Sequence, residues 1–240
     1  VEKLNGKATK VPGNPKFYSL SKEEVHDLCN VNYMERLHDL ADVPHIFNPK
    51  FFPTDKEREW AKKTRKKIKS RNIILWALSG SSVHKVYPWT DTVITKVLKY
   101  RPDACFITVG DNVCQMLEVG WEDEKRVITK AGKWSIRETL SFLEHCSIVV
   151  GPETGILNAA STLDCYKIVL LSHSSKENLS KHWKNTTSLE PEEYDNFCFP
   201  CHKMHYGFNT CYRDDDSGGA MCAAKINSND VYNEIVKNLK

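Results

Sequence analysis

The chain has 240 residues, of which 40% are hydrophobic and 27% charged, and its formal net charge is +3. That is enough for one large domain with a real core; the composition excludes a disordered or fibrous chain, and so mild a charge gives no ground for nucleic acid as a partner. No window approaches the roughly 18 apolar residues that span a bilayer, and Val1-Glu2-Lys3-Leu4-Asn5-Gly6-Lys7 lacks the apolar core of a signal peptide, so the expected compartment is the cytoplasm. The nine cysteines agree with a reducing compartment, since Cys105, Cys146 and Cys165 sit in or beside apolar runs where a free thiol behaves as a small hydrophobe.

Residues 1–20 are rich in Lys, Gly, Pro and Asn without periodicity and read as an arm. Ser21-Lys22-Glu23-Glu24 is a capping-box pattern opening a short helix, and Asn32 to Leu40 reads as another, with Met34, Leu37 and Leu40 on one face. Pro44, Pro49 and Pro53 keep residues 43–52 extended. Thr54-Asp55-Lys56-Glu57 is a second capping box, starting a helix through about Lys69. That helix runs out in the basic stretch 62–71, which contains no acid. Either it is a solvated helix face or it is drawn to an anionic membrane surface or acidic substrate; no interleaved aromatics support nucleic acid.

From Asn72 short apolar runs alternate with amphipathic segments. The runs predict strands at Ile73–Leu78, Cys105–Val109, Arg126–Thr129, Ile148–Val150, Lys167–Leu171 and Thr186–Leu189. Helices are predicted between them at Thr90–Tyr100, Asn112–Val119, Ile136–His145, Thr154–Leu163 and Lys176–Lys181, and a closing helix from a Ser228 or Asn229 cap through Val231, Ile235 and Leu239. This alternation implies an α/β fold with a doubly wound, Rossmann-like parallel sheet, whose ligands bind at the carboxyl ends of the strands. The expected division is an arm and helical crossover over 1–71 and a sheet domain over 72–240, with a cysteine-rich finger at 194–224.

Four loops meet at that edge. In Ser147–Ser161 the apolar run breaks at Gly151-Pro152 and a helix opens at Thr154-Gly155, which outlines an anion site: unpaired helix amides, the Thr154 hydroxyl and a glycine that admits a ligand to the main chain. An ordinary turn between strand and helix is the plainer reading. Ser79-Gly80-Ser81-Ser82 with Lys85 supplies hydroxyls and one cation for phosphate oxygens, Lys85 being the candidate catalytic group that neutralises a departing diphosphate. Gly110-Asp111-Asn112 is a candidate ribose or base contact, and Trp134 is either a base-stacking or a packing residue.

Residues 72–236 resemble the C-terminal, donor-binding half of the family nine glycosyltransferases, the ADP-heptose:lipopolysaccharide heptosyltransferases and their relatives. The likeness is carried by the Ser79-Gly80-Ser81 loop with Lys85-Val86-Tyr87-Pro88-Trp89, by Ser135-Ile136-Arg137-Glu138-Thr139-Leu140 with Ile148-Val149-Val150-Gly151, and by Glu153-Thr154-Gly155-Ile156-Leu157-Asn158-Ala159-Ala160. The last motif usually reads Asp-Thr-Gly-x-x-His-x-Ala, so Glu153 and Asn158 stand where aspartate and histidine are usual. The resemblance implies the C-terminal half of a GT-B fold and a nucleoside-diphosphate sugar, ADP-heptose above all, held by Ser79, Ser81, Lys85, Gly110, Trp134, Glu153, Thr154, Gly155 and Asn158. It further implies inverting transfer to a lipopolysaccharide-type glycan or a protein without a catalytic metal, and an acidic base on an acceptor domain absent from residues 1–71; a place at the inner face of the membrane is what the basic stretch 62–71 would suit.

Cys198-Phe199-Pro200-Cys201, then Cys211 and Cys222, place four thiols at spacings that suit a tetrahedral zinc or iron. His202 and His205 are alternative ligands, and disulfides or unlinked thiols remain open. Protein O-heptosyltransferases that modify autotransporters are similar in carrying a four-cysteine iron finger, which implies a protein acceptor. The alternative to an active transferase is a degenerate one kept as a metal-finger interaction module.

Overall fold

The computed structural model describes residues 20–47, 49–80, 82–192, 198–202 and 211–239. Among these, six strands form one parallel sheet: β1 (Asn72–Ala77), β2 (Ala104–Val109), β3 (Val127–Thr129), β4 (Ile148–Pro152), β5 (Tyr166–Leu170) and β6 (Thr186–Leu189). Their spatial order is 3-2-1-4-5-6. The helices are α1 (Lys22–Cys29), α2 (Tyr33–Ala41), α3 (Asp55–Lys66), α4 (Thr90–Tyr100), α5 (Ile136–Phe142), α6 (Gly155–Ala160), α7 (Lys176–Leu179), α8 (Met221–Ala224) and α9 (Ser228–Asn238).

A parallel sheet covered on both faces must be apolar on both, and every residue of β1, β2 and β4 is buried. Ile74, Trp76 and Leu78 face Val93, Ile94 and Val97 of α4 and Val231 and Ile235 of α9, while Ile73, Leu75 and Ala77 face Ala61, Phe142 and Leu157. All six strands predicted from the sequence are present, as is the closing helix, whose Val231, Ile235 and Leu239 pack inward as expected. Its N-cap is Asn227, whose side chain accepts the Asn229 amide.

Several helices are shorter than expected. The segment from Asn112 forms a 3-10 helix, Val113–Glu118. Asp111 takes the Cys114 amide at 3.0 Å, and the Glu118 carboxylate is drawn onto the loop after β3, so the turn is tightened at both ends. The helix predicted to His145 passes into a 3-10 turn at Leu143–His145. Thr154 is the N-cap of α6, which stops at Ala160, and α7 stops at Leu179. The capping boxes at Ser21, Thr54 and Ser135 all form. α3 ends at Lys66 because the Arg65 guanidinium turns back onto the carbonyls of Ile68 and Ser70. In α2 only Met34 is buried; Leu37 and Leu40 are 59% and 57% exposed, so the expected apolar face is not covered.

The N-terminal helices are tied to the sheet domain by polar contacts. Asn32 caps α2 and donates to the Glu177 carbonyl at 3.0 Å, and Arg137 pairs with Glu57. On the other face the Tyr87 hydroxyl donates to the Ile226 carbonyl at 2.9 Å and the Trp89 indole to the Ala224 carbonyl at 2.7 Å, which pins the loop after β1 to the segment leading into α9. Tyr87→Phe is expected to cost about 1–2 kcal/mol in urea unfolding, since it strands a buried carbonyl without changing shape.

Candidate functional site

The connection from β1 leads to α4 on one face of the sheet, and that from β4 leads to α6 on the other, so a crevice opens between them at the carboxyl edge. Lys85 lies at its base on a 3-10 turn, Val83–Lys85, and is only 4% exposed. Its Nζ donates to the Glu153 carbonyl at 3.0 Å, locking the two loops together. Burial pushes the ammonium pKa down, and the nearby Glu153 charge recovers part of that shift. Gly80 is needed here, because a Cβ would lie 2.8 Å from the Lys85 stem and 3.3 Å from the Glu153 carbonyl oxygen.

The Glu153 carboxylate points the other way, into the loop after β5. One oxygen accepts the amides of Ser172 (2.7 Å), His173 (3.0 Å) and Ser174 (3.1 Å); the other accepts the Ser172 hydroxyl (2.7 Å) and lies 3.3 Å from His173 Nδ1. Burial raises the carboxyl pKa, but the His173 contacts and the Ser172 hydrogen bonds more than offset it and hold it at about 2. Thr154 accepts the Leu157 amide at 3.2 Å as the α6 cap. Gly155 opens the helix with nothing within 4 Å of where a Cβ would stand. Asn158 donates back to the Thr154 carbonyl at 3.1 Å and accepts from the Tyr33 hydroxyl at 3.3 Å.

The loops after β2 and β3 are joined in the same way. The Gly132 amide donates to the Gly110 carbonyl at 2.9 Å, and Glu118 Oε1 accepts the Thr108 hydroxyl and the amides of Lys130 and Ala131. Trp134 is half-buried and packs edge-on against Trp60 and beside Phe142, with centroids 5.1 and 5.0 Å apart. Ser79 stays in the loop, its hydroxyl on the Ser82 carbonyl, and Ser81 lies outside the described residues.

Cys198, Cys201, Cys211 and Cys222 border one small cavity together with His84, Ser172 and His173. Burial and the neighbouring sulfurs push the Cys222 thiol up to about 12. Among the described residues, no three His, Cys, Asp or Glu side chains are arranged to hold a metal ion, and His205 lies outside them. The donor set therefore suits a soft or borderline ion in composition, while its arrangement does not converge on one point. The finger does reach the crevice, since the His202 amide donates to the His173 carbonyl at 2.9 Å. A cleft of about 490 Å3 lies alongside, bordered by His84, Tyr87, Met116, Val119 and Arg213.

Sequence reasoning brought Ser79, Gly80, Lys85, Glu153, Thr154, Gly155 and Asn158 to one edge. It missed Ser172, His173 and Ser174, although a run of small polar residues straight after an apolar strand is itself a mark of a loop at that edge. It also missed Glu118, whose partners come from strand β2 and from the loop after β3.

No family model matches the sequence, and no curated protein is significantly similar to it. Solved structures are similar in fold. The family nine glycosyltransferase from Veillonella parvula DSM 2008 superposes with a TM-score of 0.63 at 14% identity, over 86% of this chain and 58% of that one. E. coli ADP-heptose LPS heptosyltransferase II gives 0.60 at 12% identity, over 83% of this chain and 56% of that one. The iron-containing heptosyltransferase TibC, solved with ADP-D-beta-D-heptose, gives 0.57 at 12% identity, over 88% and 55%. At such identities the likeness is one of fold, and the chain spans just over half the length of these proteins. No described helix is long and apolar enough to cross a membrane.

Proposed function

We propose that the chain is the donor-binding part of a glycosyltransferase that takes a nucleoside-diphosphate sugar, ADP-heptose or a similar compound, and passes the sugar to a lipopolysaccharide-type glycan or a protein. The observation that carries this reading is the meeting of the Lys85 and Thr154-Gly155 loops at the switch point of a Rossmann-ordered sheet. The diphosphate would lie over Gly155, where the main chain is open, with the α6 amides and the Lys85 ammonium facing it. Inverting transfer needs a base to deprotonate the acceptor hydroxyl, which attacks the anomeric carbon as the diphosphate leaves; the charge of the leaving group is met by Lys85 and the helix N-terminus. The base would come from an acceptor domain other than this sheet domain. A structural zinc or iron on Cys198, Cys201, Cys211 and Cys222 would require the four thiols to draw closer together than they stand here.

A second reading, an interaction module without catalysis, is favoured by one observation: Lys85, Glu153 and Asn158 all spend their polar atoms on the protein itself. Calorimetric titration with ADP, UDP and GDP decides between them. One nucleotide is expected to bind, and Lys85→Met, which keeps the packed stem, is expected to weaken it by about tenfold to a hundredfold. A folded chain that binds none at millimolar concentration leaves the module reading. Elemental analysis of the same sample reports whether zinc or iron accompanies the four cysteines.

A further inference from the structure

The basic stretch at the end of α3 is not absorbed by the crevice. Residues 62–71 carry seven cations, Lys62, Lys63, Arg65, Lys66, Lys67, Lys69 and Arg71. As the whole chain has a net charge of +3, the rest of the molecule is at −4. Elsewhere cations sit in ion pairs, as in Arg101 with Asp103, Arg126 with Glu124, Lys181 with Glu35 and Glu177, and Lys237 with Glu234. Here Lys63 pairs with Glu59 and Arg65 is spent on carbonyls, while no ion pair among the described residues engages Lys62, Lys66, Lys67, Lys69 or Arg71, all of them exposed. The field is felt nearby: His145 has its pKa lowered by burial first, with Arg65 and Lys62 adding to the effect against Glu144.

The patch is formed by the last turn of a helix and the turn leading into β1, so it stands at the amino edge of the sheet, opposite the crevice. The aromatic and aliphatic neighbours are turned inward, Trp60 onto Trp134 and Ile68 into the core, so the patch has no ring on which a base would stack. We infer that this patch docks the chain on an anionic membrane surface through lipid phosphates, holding the carboxyl-edge crevice away from the bilayer.

The test is co-sedimentation of the full chain with vesicles of phosphatidylcholine alone or with about a third of the lipid replaced by phosphatidylglycerol or phosphatidylserine. Binding is expected only to the charged vesicles, equally for both anionic lipids, and to be lost in 0.5 M salt. With each cation near the surface contributing about fivefold, the triple variant Lys66→Gln, Lys67→Gln, Lys69→Gln should bind on the order of a hundredfold more weakly, while Lys176→Gln should bind as the parent does. Binding to neutral vesicles, binding that survives the triple substitution, or displacement from charged vesicles by duplex DNA or RNA at equal charge would each overturn the inference. The salt series on the unsubstituted chain tests the same point without depending on any variant folding.

Discussion

Replacing Glu153 by alanine should lower the unfolding free energy by about 3–5 kcal/mol, seen as a large fall in the urea midpoint. Glu153 is 6% exposed and its carboxylate accepts three amides and a hydroxyl from Ser172–Ser174, so its removal leaves buried donors without acceptors in a site too tight to rearrange freely. The same carboxylate links stability to pH. Its folded pKa of about 2 lies below the value of an unfolded glutamate, about 4.3. A depressed folded pKa gives stability that is present above the unfolded pKa and is lost as pH falls from there towards the folded one. The contribution at neutral pH is roughly 3 kcal/mol, fading between about pH 4.5 and 2. Glu153→Gln should therefore flatten the acid limb of a stability-against-pH curve relative to the parent, where other low-pKa carboxylates such as Glu57 and Asp103 still contribute. A variant whose acid limb parallels the parent's would show that the cluster around His173 does not hold the ionised carboxylate as described.

Glu153 also marks where reading the sequence stops being enough. The centre of the sheet was legible because parallel strands covered on both sides must be written as apolar runs, as β1, β2, β4 and β5 are, whereas the edge strand β6, Thr186–Leu189, is mostly polar and half-buried. The caps at Ser21, Thr54 and Ser135 were legible because their partners lie three residues away. The polar atoms of the crevice have partners far off in sequence: Lys85 and Glu153 are 68 positions apart, and Glu153 and Ser172 are 19 apart. No local pattern announces which of these groups faces a ligand and which faces another loop. Trp134 shows the same limit, since nothing local in the sequence announces that Trp60, 74 positions away, stands beside it. Leu37 and Leu40 show the reverse error: helical spacing gives a face but not the surface that would cover it.

Gly151→Ala should cost about 3 kcal/mol, at the upper end of what overpacking does, and should carry the crevice with it. An alanine Cβ would stand 2.8 Å from the Ala77 carbonyl oxygen, 2.9 Å from the Ala77 Cβ and 3.0 Å from Leu157 Cδ2. Two of these atoms belong to the backbone of β1 or to a side chain fixed to it, and β1 and β4 are paired neighbours, so relief comes only by parting the strands at their carboxyl ends. Trimming Leu157 to alanine would remove the one flexible contact and open a cavity besides, so the double variant should be no more stable than Gly151→Ala alone. Parting β1 from β4 moves the Glu153 carbonyl relative to Lys85, and if the crevice takes a nucleotide as proposed, its affinity should fall even where the variant remains folded. Gly155→Ala is the counterpart: its Cβ meets nothing within 4 Å, and alanine suits the first turn of a helix better than glycine, so urea unfolding should show unchanged or slightly higher stability. If a diphosphate rests on that stretch of main chain, the same methyl group should block it. Full stability with lost nucleotide binding in Gly155→Ala would separate the site from the fold that holds it, whereas unchanged nucleotide binding would move the ligand away from the N-terminus of α6.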